Sequence, residues 1–185
     1  FRAAFGLGRA VLPLLPKTIQ QQLAAPRPAG PLPNTAHRRH VVMPRGCVQS
    51  VLAPRINAAA ARVLDRLGIS VLETAGTTCC GAIDQHMSAS QAALMHAKAN
   101  VDAWCKALDE GAEAIVMTAS GCGTTVKEYG LLLANDTAYS EKADRVASQT
   151  LDLSQLIAKE PLKPLAEAGP GGLNDLRCAY HPPCS

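Results

Sequence analysis

Apolar and polar positions change rhythm near residue 40. Before it, Phe1, Phe5, Leu7, Val11, Leu12, Leu14, Leu15 and Ile19 predict the tail of a helical segment broken at Pro13 and Pro16. Residues 26–34, with Pro26, Pro28, Pro31 and Pro33, read as a linker. From residue 40 onward, short apolar runs alternate with longer amphipathic ones. Residues 40–44 predict a short buried strand, with Gly46 and Cys47 just after it. A helix follows over about 51–67, with Leu52, Ile56, Ala59, Ala60, Val63 and Leu67 on one face and Arg55, Arg62 and Arg66 away from it. Gly68 stands where a helix commonly stops. Residues 69–73 predict the second strand, and Thr77, Thr78, Cys79, Cys80 and Gly81 the loop after it.

Ser88 and Gln91 have the spacing of a capping box, which predicts the start of a long helix. Its stripe is Leu94, Ala97, Val101, Trp104, Cys105 and Leu108, and Gly111 ends it. Residues 112–118, centred on Ile115, Val116 and Met117, predict a third strand. The turn over 119–124 leads into a helix through Val126 and Tyr129. A further helix is predicted over 140–159, a second linker over 161–172 and a fourth strand over 176–180. The succession is β-α-β-α-β. It predicts an α/β fold: a Rossmann-like, three-layer parallel sheet with helical crossovers, preceded by a helical remnant and a linker.

Composition narrows the function classes. The chain has 185 residues, 48% hydrophobic and 18% charged, which suits a globular domain with a real core. Aromatics make up 3%, leaving little for stacking on bases, and a net charge of +3 does not call for a polyanion partner; no nucleic-acid role is expected. No apolar run approaches the roughly 20 residues of a membrane span. The chain begins at Phe1 without an initiator Met and stops at Ser185, one residue after a Cys, and so reads as a fragment of a longer protein. Arg38, Arg39, His40 and Arg45 form a small basic cluster, read as a solvated edge.

Seven cysteines are the chemical signal: Cys47, Cys79, Cys80, Cys105, Cys122, Cys178 and Cys184. The odd count, the adjacent pair and the lack of a secretory signal argue against a disulfide framework. Cys47, the Cys79–Cys80 pair and Cys122 each follow a predicted strand. In a parallel sheet those strand ends share one edge, where ligands bind. A cubane iron–sulfur cluster needs about four thiolates. The glycines at 46, 81, 121 and 123 let backbone come close and offer N–H groups to sulfur. Tetrahedral zinc would use the same donors, but zinc sites usually show Cys-x-x-Cys knuckles, and none occurs here. A third reading makes Cys122 a catalytic thiol at a helix N-terminus, with His86 or His96 as base. His86 reads as a loop residue and His96 as lying on the polar side of its helix. Cys105 lies on the apolar stripe and is expected to be a small hydrophobe rather than a ligand. Gly6 and Gly8 lack the third glycine and the preceding strand of a dinucleotide fingerprint.

Gly46-Cys47, then Cys79-Cys80-Gly81, then Ser120-Gly121-Cys122-Gly123 resembles the CCG cysteine-rich domain of the heterodisulfide reductases and their relatives. With the Pro44-Arg45-Gly46-Cys47 start and the Thr118-to-Gly123 wording, the chain most resembles the glycolate oxidase iron–sulfur subunits, over about residues 38–185. The resemblance implies a helical remnant and linker over 1–37, a first CCG domain over 38–160, and over 161–185 a linker and the truncated start of a second. It implies a 4Fe-4S cluster held by Cys47, Cys79, Cys80 and Cys122. The family pattern closes with Cys-x-x-Cys; here the first of those positions is Ala119, leaving four thiols, enough for one cubane. Cys184 is read as a metal ligand of the second domain, the counterpart of Cys47, with His181 as a turn residue and Cys178 as an ordinary thiol. The implied role is electron transfer, with no catalytic residue of its own. Flavin-containing oxidase subunits of the same complex oxidise glycolate to glyoxylate, and this subunit carries the electrons onward. The implied location is cytoplasmic, with peripheral association to the inner membrane. The alternatives are the equivalent subunit of a lactate, glycerol-3-phosphate or heterodisulfide reductase-like complex, and a zinc-bound structural domain.

Overall fold

The computed structural model describes residues 28–168, together with 11–14, 16, 17 and 177. Most of the predicted N-terminal helical tail, and the predicted fourth strand with Cys178, His181 and Cys184, lie outside the described residues. Strands β1 (Arg39–Val42), β2 (Ile69–Leu72), β3 (Ile115–Met117) and β4 (Thr150–Asp152) form a parallel sheet in the order β2-β1-β3-β4. The chain moves outward from β1 to β2, then crosses to the other side for β3 and β4. The order therefore reverses between β1 and β3, and a crevice for ligands opens at such a reversal.

Alternating side chains on each strand separate two cores, as the two-residue strand period requires. Val41, Ala114 and Val116 pack with Leu64, Ile69 and Leu156 on one face. Val42, Ile115 and Met117 face the other way, toward Ala97, Val101, Trp104, Val126, Tyr129 and Val146. Helices cover both faces, giving the predicted three layers. Among the described residues, no helix is long and apolar enough to cross a membrane.

Several predicted elements shift. The first helix is two pieces, α1 (Gln49–Leu52) and α2 (Arg55–Arg66). Pro54 separates them: Ala53 is pushed out of helical backbone (φ −144°), as a residue before proline tends to be. The break resets the helix face. Ala58, Ala60, Ala61 and Leu64 are buried, while the predicted stripe residues Leu52 and Ile56 are exposed. Arg62 instead ties down the preceding strap, donating to the carbonyls of Ala29 and Pro31, each at 3.1 Å. Gly68 ends α2 at φ +74°, as predicted.

An unpredicted short helix, α3 (Ala82–His86), precedes the long helix α4 (Ser90–Asp109). The capping box predicted from Ser88 and Gln91 does not form. Ala89 is the N-cap, and Ser88 sits in left-handed backbone (φ +60°) in the tight turn after α3. The stripe on α4 is nearly as predicted: Ala97, Val101, Trp104, Cys105 and Leu108 are buried.

The turn predicted over 119–124 is already helix, α5 (Ser120–Lys127), capped by Ala119 and followed by α6 (Tyr129–Leu132). The helix predicted over 140–159 is three elements: α7 (Ser140–Ser148), β4 and α8 (Leu153–Ile157). Gln155 accepts the Asp152 N–H (3.0 Å), closing a capping box that restarts the helix after β4. The linker predicted over 161–172 contains helix α9 (Lys163–Ala168).

The basic cluster is not a simple solvated edge. Arg45 pairs with Glu73. Arg39 donates to Glu113 (2.8 and 2.9 Å) and, through both terminal nitrogens, to Glu160 (2.7 Å each). It thereby fastens β1 to the segments before β3 and after α8. The Glu160 side chain is 8% exposed, and the guanidinium holds its carboxyl below the usual carboxylate range. Arg39→Ala strands that carboxylate and is expected to cost about 1–2 kcal/mol, moderated because Arg39 itself is 41% exposed. A depressed carboxylate contributes stability above its unfolded pKa and loses it as pH falls through the folded one. The difference between wild type and variant should therefore shrink on acidification. Urea midpoints at neutral and acidic pH check this; a constant difference would contradict it.

Candidate metal centre

Two loops and the start of a helix deliver cysteines to the C-terminal edge of the sheet. The first follows β1. Gly46 takes φ +71°, a conformation that favours glycine, and turns the chain into Cys47. Asn57 of α2 donates to the carbonyls of Pro44 (3.3 Å) and Arg45 (3.1 Å). Gln49 donates to Thr118 (2.6 Å), whose hydroxyl donates to Asn57 (2.6 Å). The Cys47 loop is thus bound to the end of β3, just before the helix that carries Cys122.

The second loop follows β2. Trp104 Nε1 donates to the Thr77 hydroxyl at 3.0 Å. Asn100 and Tyr129, both 0% exposed, reach the backbone of residues 78–80. Gly81 closes the loop at φ +85°, where a Cβ would stand 3.2 Å from the Ala93 carbonyl oxygen. The fourth cysteine, Cys122, is the third residue of α5.

The four thiols are linked in succession, Cys47 to Cys79, Cys79 to Cys80 and Cys80 to Cys122. Cys47 Sγ lies 3.2 Å from Cys79 Sγ. Cys80 and Cys122 pair side chain to side chain. Burial and the Cys79 contact push the Cys47 thiol up to about 11. The Cys80 thiol is raised by donating to Cys122 and by burial, while the same hydrogen bond holds Cys122 below the ordinary thiol range. Backbone N–H groups of Val48 and Ala82 point at the Cys47 and Cys80 sulfurs and favour their thiolates. These, rather than the glycine amides, are the N–H···S donors at those two sulfurs. A cavity of about 750 Å³, lined in part by Pro44, Gly46, Cys47, Glu73 and Thr78, opens beside Cys47.

The catalytic-thiol reading finds little support. The side chains that shift Cys122 are the other three cysteines. His86 is exposed in the last turn of α3, and His96 is engaged by Thr78 (2.9 Å) and Asp84 (3.5 Å). Among the described residues, no group of three or more His, Cys, Asp or Glu is set around a point to hold a single ion. The donor set is all sulfur, with backbone N–H groups at two of the sulfurs, which is the chemistry a cluster of several irons uses.

Cys105 stands apart, 8% exposed, with its Sγ 3.7 Å from the Lys142 carbonyl oxygen; burial pushes its thiol up. Cys105→Ala should keep the full metal content of the wild type and cost about 1 kcal/mol. Iron analysis beside a melting curve checks both, and iron loss would put Cys105 in the site. Sequence reading does not find Asn100 and Tyr129 as residues of the site. The available signal is a polar Asn three positions after Ala97 on an otherwise apolar face.

A doubly wound parallel sheet with four cysteines gathered at one edge defines a cysteine-rich α/β domain. Residues 41–127 match the CCG family, described as "Cysteine-rich domain". Over 186 aligned positions it is 46% identical to the glycolate oxidase iron-sulfur subunit of Escherichia coli (strain K12), covering 100% of the chain and 44% of that protein. It is 29% identical over 153 positions to the probable glycolate oxidase iron-sulfur subunit of Bacillus subtilis (strain 168), covering 81% of the chain and 32% of that protein. Lactate utilization protein A of Bacillus pumilus (strain SAFR-032) is 28% identical over 111 positions, covering 60% of the chain and 44% of that protein. The chain thus spans less than half the length of each of these relatives. No solved structure matches it.

Proposed function

We propose that this chain is part of the iron–sulfur subunit of a glycolate oxidase complex and carries electrons released when glycolate is oxidised to glyoxylate. The observation that carries the reading is the meeting of Cys47, Cys79, Cys80 and Cys122 at one sheet edge, with Cys47 and Cys79 3.2 Å apart. Those four residues would hold a 4Fe-4S cluster, which supplies one-electron storage at that edge. The protein's part is to gather the thiols, favour the Cys47 and Cys80 thiolates with backbone N–H groups and leave the Cys47 side open to the cavity. Flavin-containing subunits of the same complex would perform the oxidation. The chain works in the cytoplasm, meeting the inner membrane only peripherally. Residues 161–185 open a second domain of the same kind, to which Cys184 belongs.

The test uses the complex purified anaerobically with its flavin subunits. Iron and acid-labile sulfide should be present, and glycolate should reduce the iron–sulfur signal. Zinc without sulfide would overturn the cluster and favour a structural domain. Likeness to lactate utilization protein A supports a second reading, in which lactate is the electron source. Reduction by lactate but not by glycolate would select it.

A further inference from the structure

We infer that Asn100 and Tyr129 are positioning residues that fix the peptide groups around Cys79 and Cys80 and so tune the metal centre those thiols form; the metal part rests on the cluster reading above. Asn100 sits in the middle of α4 with no exposed surface, where an unpartnered amide would be costly. Its carbonyl oxygen accepts the Thr78 N–H at 2.8 Å. Its amide nitrogen donates to the Cys79 carbonyl at 2.8 Å and to the Tyr129 hydroxyl at 3.0 Å. Tyr129, equally buried and stacked on Trp104, donates its own hydroxyl proton to the Cys80 carbonyl at 2.8 Å. Two side chains from two helices thus engage polar atoms of three consecutive residues.

A role in packing alone does not call for this pattern. Apolar side chains of similar size would fill the same volume without needing partners. What the polar pair adds is direction. Because a trans peptide is planar, holding the Cys79 and Cys80 carbonyls toward the core turns the N–H groups of Cys80 and Gly81 the opposite way. Peptide dipoles beside a cluster's thiolates help to set its reduction potential.

The experiment has a metal-free arm and a metal-loaded arm, both on the whole chain. In metal-free protein, amide exchange is followed by NMR. Asn100→Ala should speed exchange of the Thr78 amide about tenfold, the loss of one buried hydrogen bond. Asn100→Asp, which keeps the acceptor, should restore protection. Cys105→Ala, buried in the same core, should leave it unchanged. After anaerobic loading with iron and sulfide, Tyr129→Phe and Asn100→Asp should bind metal as the wild type does but show shifted electron paramagnetic resonance g values and a shifted midpoint potential. Cys105→Ala should match the wild type in both. Unchanged Thr78 exchange in Asn100→Ala, or wild-type signals in both polar variants, would overturn the inference. A wild-type chain that takes up no iron and sulfide would overturn the cluster reading instead, and Thr78 exchange alone would then decide whether Asn100 positions the segment.

Discussion

Cys80→Ala is expected to abolish uptake of iron and labile sulfide. Of the four candidate ligands, Cys80 is the most buried, at 9% exposure. Its neighbours along the chain are held by Asn100, by Tyr129 and by Gly81 against α4, so the backbone cannot shift to recruit a substitute. Cys122 would lose the hydrogen bond that now holds its thiol low. Cys47→Ala should behave likewise, because Cys79 would lose its partner at 3.2 Å. The measurement is iron and sulfide per chain after anaerobic reconstitution, with circular dichroism to show that the sheet persists. Full iron content in Cys80→Ala would remove this residue from the site.

The largest expected effect on stability is at Trp104. Its ring is 1% exposed and lies nearly parallel to Tyr129, with centroids 6.3 Å apart. Its indole N–H is bonded to Thr77. Trp104→Ala removes the packing, the stacking and the loop tether together, and should cost about 3–5 kcal/mol, the usual range for emptying a large aromatic site. Trp104→Phe keeps most of the volume and should cost much less. Urea unfolding of the metal-free chain checks this free of metal linkage. A loss in Trp104→Ala no larger than that in Cys105→Ala would show that the core collapses around the vacancy.

The sheet edge is legible in the sequence because each candidate cysteine follows a short apolar run closely, and parallel strands leave their C-terminal ends together. The long helix is legible too, since twenty residues give its period room to repeat. What escapes is short or depends on distant partners. Strand β4 is three residues between two helices, with Gln149 rather than glycine turning the chain, so nothing interrupts the helical pattern; only the Asp152 and Gln155 spacing marks the restart. The buried face of α2 is hidden because Pro54 shifts its phase. Asn100 and Tyr129 are hidden because a buried polar side chain announces itself only through the backbone it meets, and that backbone comes from elsewhere in the chain.

The reversal of strand order between β1 and β3 also bears on how the proposed cluster would be acquired. In a zinc knuckle, two cysteines a few residues apart can grip an ion before the rest of the chain is ordered, and the ion then drives folding. Here Cys47 and Cys79 are 32 positions apart, and Cys122 lies in the first turn of α5, after a third strand. These thiols become neighbours only after β1, β2 and β3 have paired, a set of distant contacts that forms slowly. On the proposed cluster reading, assembly therefore has an order: the polypeptide must finish its sheet with the sulfurs still reduced, and the inorganic part would be inserted into a completed frame. During that interval the adjacent thiols are open to oxidation, which makes the time between synthesis and cluster delivery the vulnerable stage in this protein's life.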